Sequence, residues 1–173
     1  MQRRTNSGEA KFIVNVSDIR KKLGDSTSVD IEMVFVGLKV IDTVLSEKPI
    51  KGTLLLKSVD RGILVTGDLT FEWKSNCRRC LETIIEHVVI AVDDHYMVDA
   101  PEDSESISFD GVHIDLGPVV RDSVVTALPL VPLCSDSCEG PDPKRYPTLI
   151  GERQRVEGLT DPRWSELDKL KFE

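Results

Sequence analysis

The stretch GILVTGDLTFEWKSNCRRCLETIIEHVVIAVDDHY, residues 62–96, alternates apolar and polar side chains on both sides of a Cys-x-x-Cys turn. In the first arm Ile63, Val65, Leu69, Phe71 and Trp73 share one face, and Thr66, Asp68, Thr70 and Glu72 share the other. This is the period of a half-buried β-strand. The second arm alternates again, with His87 on the face of Leu81, Thr83, Ile85 and Val89, where a packed or partly exposed structural histidine is expected. Two long alternating arms joined by a tight turn predict neighbouring antiparallel strands.

Outward from this pair, KGTLLLKSV joins it through DRG, with Gly62 read as the residue of positive φ, so residues 51–73 predict a hairpin. FIVNVSDI and VDIEMVFVGL add two strands and ISFDGVHID a short one, while SDIRKKLGD predicts a helical turn ending at Gly24. A helix is predicted over 115–128. Val119, Val120, Ser123, Val124, Ala127 and Leu128 recur at spacings of three and four, Asp115 is the N-cap candidate, and Pro129 stops continuation. The Pro- and Gly-rich run over 139–159 predicts a loop or tail. In TDPRWSELDKLKFE, Asp161 and Pro162 signal a short terminal helix whose Trp164, Leu167 and Leu170 need a surface, the chain's own or a partner's. The expected fold class is α+β: a mostly antiparallel sheet of five or six strands with one packed helix over residues 1–138, then a tail over 139–173 ending in a short helix.

Composition narrows the class. With 40% hydrophobic and 30% charged residues among 173, the chain is of globular type. It has no apolar run of the ~18 residues that a membrane helix needs. The opening MQRRTNSGEAKFIVNV has no apolar h-region, so the cytoplasm is the expected location and reduced thiols the expected state. The formal net charge of -8 matches one window: Asp93–Asp115 holds eight acids and no Lys or Arg. That window is read as a solvated loop, or as a decoy for basic ribosomal or nucleic-acid-binding partners. The remaining charges balance, which leaves room for basic faces near Arg78 and Arg79 and near Lys144 and Arg145.

Four cysteines, Cys77 and Cys80 then Cys134 and Cys138, form two close pairs separated by 53 residues. The spacing suits a structural zinc site that draws two thiolates from each of two turns. A redox dithiol and free packed cysteines are the alternatives; a redox Cys-x-x-Cys ordinarily precedes a helix, and here a strand is expected. Four thiolates close the coordination sphere against water. No phosphate loop, nucleophile elbow or His-Glu-x-x-His pattern is present, and His95 and His113 border the acidic window, where solvation is expected. No catalytic residue is proposed. Arg78 and Arg79 would either neutralise the thiolates or contact phosphate.

CRRCL, IDLGPVVRDSVVTALPLVPLC and the terminal DPRW, in this order, resemble the YceD-type family of large ribosomal RNA subunit accumulation proteins. The resemblance covers nearly the whole chain. It implies a non-enzymatic ribosome biogenesis factor for 23S rRNA accumulation or processing and large-subunit assembly, with 23S rRNA or its precursor as partner. Large-subunit ribosomal proteins are the alternative partners, for which the chain would act as adaptor or chaperone. By motif position Cys77, Cys80, Cys134 and Cys138 match the family's recurrent cysteines. Arg78, Arg79, Arg121, Lys144 and Arg145 are the candidate RNA-facing residues. Many members carry a further Cys-Pro-x-Cys-Gly knuckle; Asp142 and Arg145 stand there instead. Any zinc in this chain must therefore join the two distant pairs.

Overall fold

The computed structural model describes residues 11–101, 105–142 and 144–145. The strands are β1 (Ile13–Asn15), β2 (Ser26–Met33), β3 (Lys39–Val40), β4 (Thr43–Leu45), β5 (Ile50–Val59), β6 (Gly62–Asn76), β7 (Thr83–Val98), β8 (Ile107–Phe109) and β9 (His113–Asp115). The one helix among the described residues is α1 (Leu116–Ala127), and a single 3-10 turn covers Ile19–Lys21.

The fold is α+β, as expected, with a mostly antiparallel sheet. Its spine is the β6–β7 pair, in register from Gly62↔Met97 to Asn76↔Thr83. The opposite side of β6 is shared: β5 pairs along Gly62–Thr70 and β4 continues at Trp73 and Lys74. β2 lies outside β5 and β3 outside β4. β1 and β9 form a separate two-stranded sheet.

The alternation of β6 is realised as read. Ile63, Val65, Leu69, Phe71 and Trp73 are buried and meet Leu54 and Leu56 of β5 and Ile31 and Met33 of β2. Removing a side chain such as fully buried Leu54 from water contributes about 2 kcal/mol. α1 covers part of this face with Leu116, Val119, Val120 and Val124, and the Tyr96 hydroxyl donates to the Asp115 carbonyl at 2.6 Å. Asp115 caps the helix: its Oδ1 accepts from the Gly117 N–H at 3.0 Å and from the Phe12 N–H at 2.8 Å, so one carboxylate fixes both the helix start and β1.

Several details differ from the sequence expectations. There are nine strands among the described residues, because β3 and β4 are too short to show a period and ISFDGVHID breaks at Gly111 (φ 84) into β8 and β9. β8 pairs parallel with β7, the sole parallel strand pair among the described residues. Window 93–115 is not one loop: β7 runs through Asp93 and Asp94 to Val98, and β8 and β9 occupy its far half. In the β5–β6 turn the positive φ belongs to Arg61 (67°), not Gly62. Gly62 is required for close approach, since a Cβ there would strike the Tyr96 carbonyl oxygen. Of the two expectations for His87, packed or partly exposed, the structure shows the exposed one: its face of β7 is open, and its Nε2 lies 3.0 Å from Glu72 Oε2. His95 is half-buried rather than solvated, with Nδ1 3.1 Å from Ser106 Oγ, whereas His113 is exposed. The terminal helix expected at Asp161–Leu170 lies outside the described residues.

Candidate metal centre

The β6–β7 connection carries Cys77 and Cys80. The Cys77 N–H donates to Glu82 O at 2.8 Å and the Leu81 N–H to Cys77 O at 3.0 Å. Leu81 takes a left-handed φ of 65°, which returns the chain into β7. The second pair follows α1. Leu128 is buried at the helix end, the Thr43 hydroxyl donates to Pro129 O at 2.8 Å, and the Arg78 N–H donates to Pro132 O at 3.0 Å. These contacts lay residues 129–138 against β4 and the cysteine turn. A 3.1 Å bond from the Cys138 N–H to Ser135 O shapes the second turn.

All four sulfurs lie within 4.8 Å of one another. Cys77 Sγ and Cys138 Sγ are 3.7 Å apart, and Cys80 Sγ and Cys134 Sγ 3.6 Å. A disulfide would bring sulfurs to about 2.05 Å. A tetrahedral ion with ~2.3 Å bonds to sulfur needs edges of about 3.8 Å. The four residues fit that geometry and are able to hold a metal ion. Cys77 and Cys138 are buried, Cys80 is half-buried and Cys134 is exposed, so the site is anchored inside and open on one side.

The electrostatics are those of crowded thiols. The Cys80 N–H, followed by those of Cys134 and Arg79, donates to the Cys77 sulfur and lowers its pKa to about 6. Cys134 is pushed up to about 12 by the Cys138 and Cys80 sulfurs. Cys80 is raised too: the Glu82 N–H lowers it, and burial with the Cys77 and Cys138 sulfurs outweighs that. The Cys77 thiolate forms readily while Cys80 and Cys134 resist, which is the state a cation relieves.

The two arginines of the turn separate in role. Arg79 bends over the site: Nη1 donates to Asp136 O at 3.0 Å and Cys138 O at 2.9 Å, clamping one cysteine turn to the other. Arg79 is exposed, and these two bonds engage its Nη1. Arg78 points outward and pairs with Asp42 at 3.1 Å. Arg121, exposed on α1, pairs with Asp122 at 2.8 Å. Lys144 and Arg145 are exposed, and the Arg145 N–H donates to Asp142 Oδ1 at 3.1 Å. The supporting residues Asp42, Thr43 and Pro132 carried no sequence signal, because their contacts are long-range.

Fold and site together define a mostly antiparallel α+β protein that gathers four cysteines, able to hold a metal ion, from two remote turns. Residues 65–171 match the family described as large ribosomal RNA subunit accumulation protein YceD, and the chain belongs to that family. Among curated proteins it is similar to an uncharacterized protein of Mycobacterium leprae (strain TN), 30% identical over 129 residues, which are 70% of this chain and 59% of that protein. It is likewise 30% identical over 123 residues to uncharacterized proteins of Mycobacterium bovis and Mycobacterium tuberculosis, covering 68% of this chain and 59% of each. The chain thus spans about three fifths of the length of these relatives. No solved structure matches. Among the described residues no helix is long and apolar enough to cross a membrane.

Proposed function

We propose that this protein supports accumulation or processing of 23S rRNA and assembly of the large ribosomal subunit in the cytoplasm, by binding that RNA or its precursor and without catalysis. The observation that carries this reading is the family membership over residues 65–171. A structural zinc ion held by Cys77, Cys80, Cys134 and Cys138 is part of the proposal, supported by sulfur spacings close to the tetrahedral value and by a donor set of soft thiolates. Such an ion would staple the end of α1 to the β6–β7 turn, and four thiolates would leave it no position for water.

RNA contact falls to Arg78, Arg79, Arg121, Lys144 and Arg145, of which Arg78 also pairs with Asp42 and Arg121 with Asp122. Arg79 acts through the cysteine turns as well. Between Arg79 and Arg121 the chain holds ten acids and no Lys or Arg, so phosphate is repelled from β7 and β8 and the RNA face lies elsewhere.

The test is depletion in the native host, reading the ratio of mature 23S to 16S rRNA. The ratio should fall, recover with the wild-type chain, and stay low with Cys138→Ser. Purified protein should bind 23S fragments with affinity that drops as salt rises, at a slope of about 0.7–0.9 per phosphate neutralised. An unchanged 23S to 16S ratio after depletion would overturn the reading.

A further inference from the structure

β7 is paired along its full length on one side only. β6 covers Thr83–Met97, whereas β8 reaches only Tyr96–Val98 on the other side. Among the described residues nothing hydrogen-bonds the outer backbone of Thr83–His95. At about 3.3 Å per residue this is ~40 Å of open strand edge. Proteins commonly blunt such edges with Lys, Pro, bulges or a covering element. Residues 83–95 contain no Lys, Arg or Pro, and their register with β6 runs without a bulge.

α1 does not close the edge. A groove of about 530 Å³ lies between Ile90–Asp94 of β7 and Pro118–Ala127, with Ile107 of β8 at one end, so it continues the track that β8 begins. Its chemistry alternates. Ile84, Val88 and Ile90 are half-buried, and Glu86 stands between the first two on the side of the strand where Val92 is buried. Asp93, Asp94 and Asp122 line the groove. No described cation pairs with Glu86, Asp93 or Asp94. Burial, then Asp93 and Asp122, hold the Asp94 carboxyl above the usual carboxylate range, a crowding that a cation would relieve.

We propose that the free edge of β7 and the groove beside α1 form a docking site for an extended, Lys/Arg-rich segment of another protein, added as a strand next to β7. Main-chain bonds along the edge would supply affinity, and side chains on the groove-facing side specificity: apolar ones over Val88 and Ile90 and cationic ones against Glu86 and Asp94, with Asp93 facing a cation on the opposite side. Charge selects this occupant. A second copy brings a further net -8 and RNA brings phosphate, and both are repelled. The proposal does not rest on the rRNA reading and fails or stands separately from it.

The probe is a fluorescent peptide of about ten residues whose alternate positions read Lys, Val, Val, Val, Lys to face Glu86, Val88, Ile90, Val92 and Asp94, with Thr between them and a Glu-for-Lys counterpart, titrated into the full chain by anisotropy beside amide exchange. The Lys peptide should bind, the Glu peptide should not, and amides within Thr83–His95 should slow. A Glu86→Gln, Asp93→Asn, Asp94→Asn triple variant with an unchanged melt should bind about tenfold more weakly. Four results would overturn the proposal: no binding, binding without slowed exchange in β7, a triple variant that binds like wild type, or outer β7 amides already protected in the free chain, by self-association or by its own remaining residues. Protection of β7 by RNA instead of peptide would overturn it as well.

Discussion

Replacing Arg79 with alanine tests whether one side chain sets the distance between the two cysteine turns. Its Nη1 donates to Asp136 O at 3.0 Å and Cys138 O at 2.9 Å, the first at the surface and the second partly buried. Hydrogen bonds from a charged donor net about 1.5–3 kcal/mol where solvent cannot replace them. Water takes over at the exposed carbonyl, so the expected loss is about 2 kcal/mol rather than twice a full bond. If the turns must be docked for all four sulfurs to meet, that loss appears in zinc affinity, and at about 1.4 kcal/mol per tenfold it weakens binding about thirtyfold. The assay is competition with a chromogenic chelator, on wild type, Arg79→Ala and Arg79→Lys. Lysine keeps the charge and one contact and should fall about midway on the logarithmic scale. Zinc affinity within about twofold of wild type for Arg79→Ala would refute the argument. The backbone contact from Arg78 to Pro132 would then suffice to place the turns. A loss of RNA binding at unchanged zinc affinity would leave RNA contact as the role of Arg79.

Asp115→Ala should cost about 1–2 kcal/mol in denaturant unfolding, because Gly117 and Phe12 lose a shared acceptor. Gly52→Val should fail to fold or melt far below wild type, since a Cβ at Gly52 would strike the Asp68 carbonyl oxygen across the β5–β6 pair. In metal-free, reduced protein, ultraviolet thiolate absorbance should show one thiol ionising near pH 6, lost in Cys77→Ser, while Cys134 ionises last. The sign for stability follows. A thiol lowered from 9.0 to about 6 adds stability that is full above pH 9 and is lost as pH falls through 6. Cys134, raised from 9.0 to about 12, withdraws stability as pH climbs from 9 to 12. A single step with four equivalent thiols would contradict the crowding described.

The β5–β6–β7 spine was legible because each strand is long enough for period 2 to declare itself, and α1 because Asp115 and Pro129 mark its ends. Short strands escaped. Lys39–Val40 and Thr43–Leu45 span too few residues to show a period, and β9 finds its partner in β1, about 100 residues away. For His87, the alternation assigned the right neighbours but left open whether their face is packed or exposed. Ile85 and Val89 beside it are 60% and 66% exposed, since burial depends on what covers a sheet and not on the strand alone. The four cysteines could be paired from spacing, whereas the Arg79 clamp depends on carbonyls nearly 60 residues away.

The placement of the cysteines also sets an order in time. Residues 81–133, between the two pairs, contain β7, β8, β9 and α1. An ion shared by both turns closes a loop whose entropy in the unfolded chain is worth about 4 kcal/mol. During synthesis at about 5–20 residues per second, Cys77 and Cys80 emerge several seconds before Cys138. Full coordination can then seal only after the helix has been made. A product that stops short of Cys138 holds at most three of the four thiolates, and its unsealed end remains open to chelators and proteases. Closure of the site thus certifies that the middle of the chain was completed.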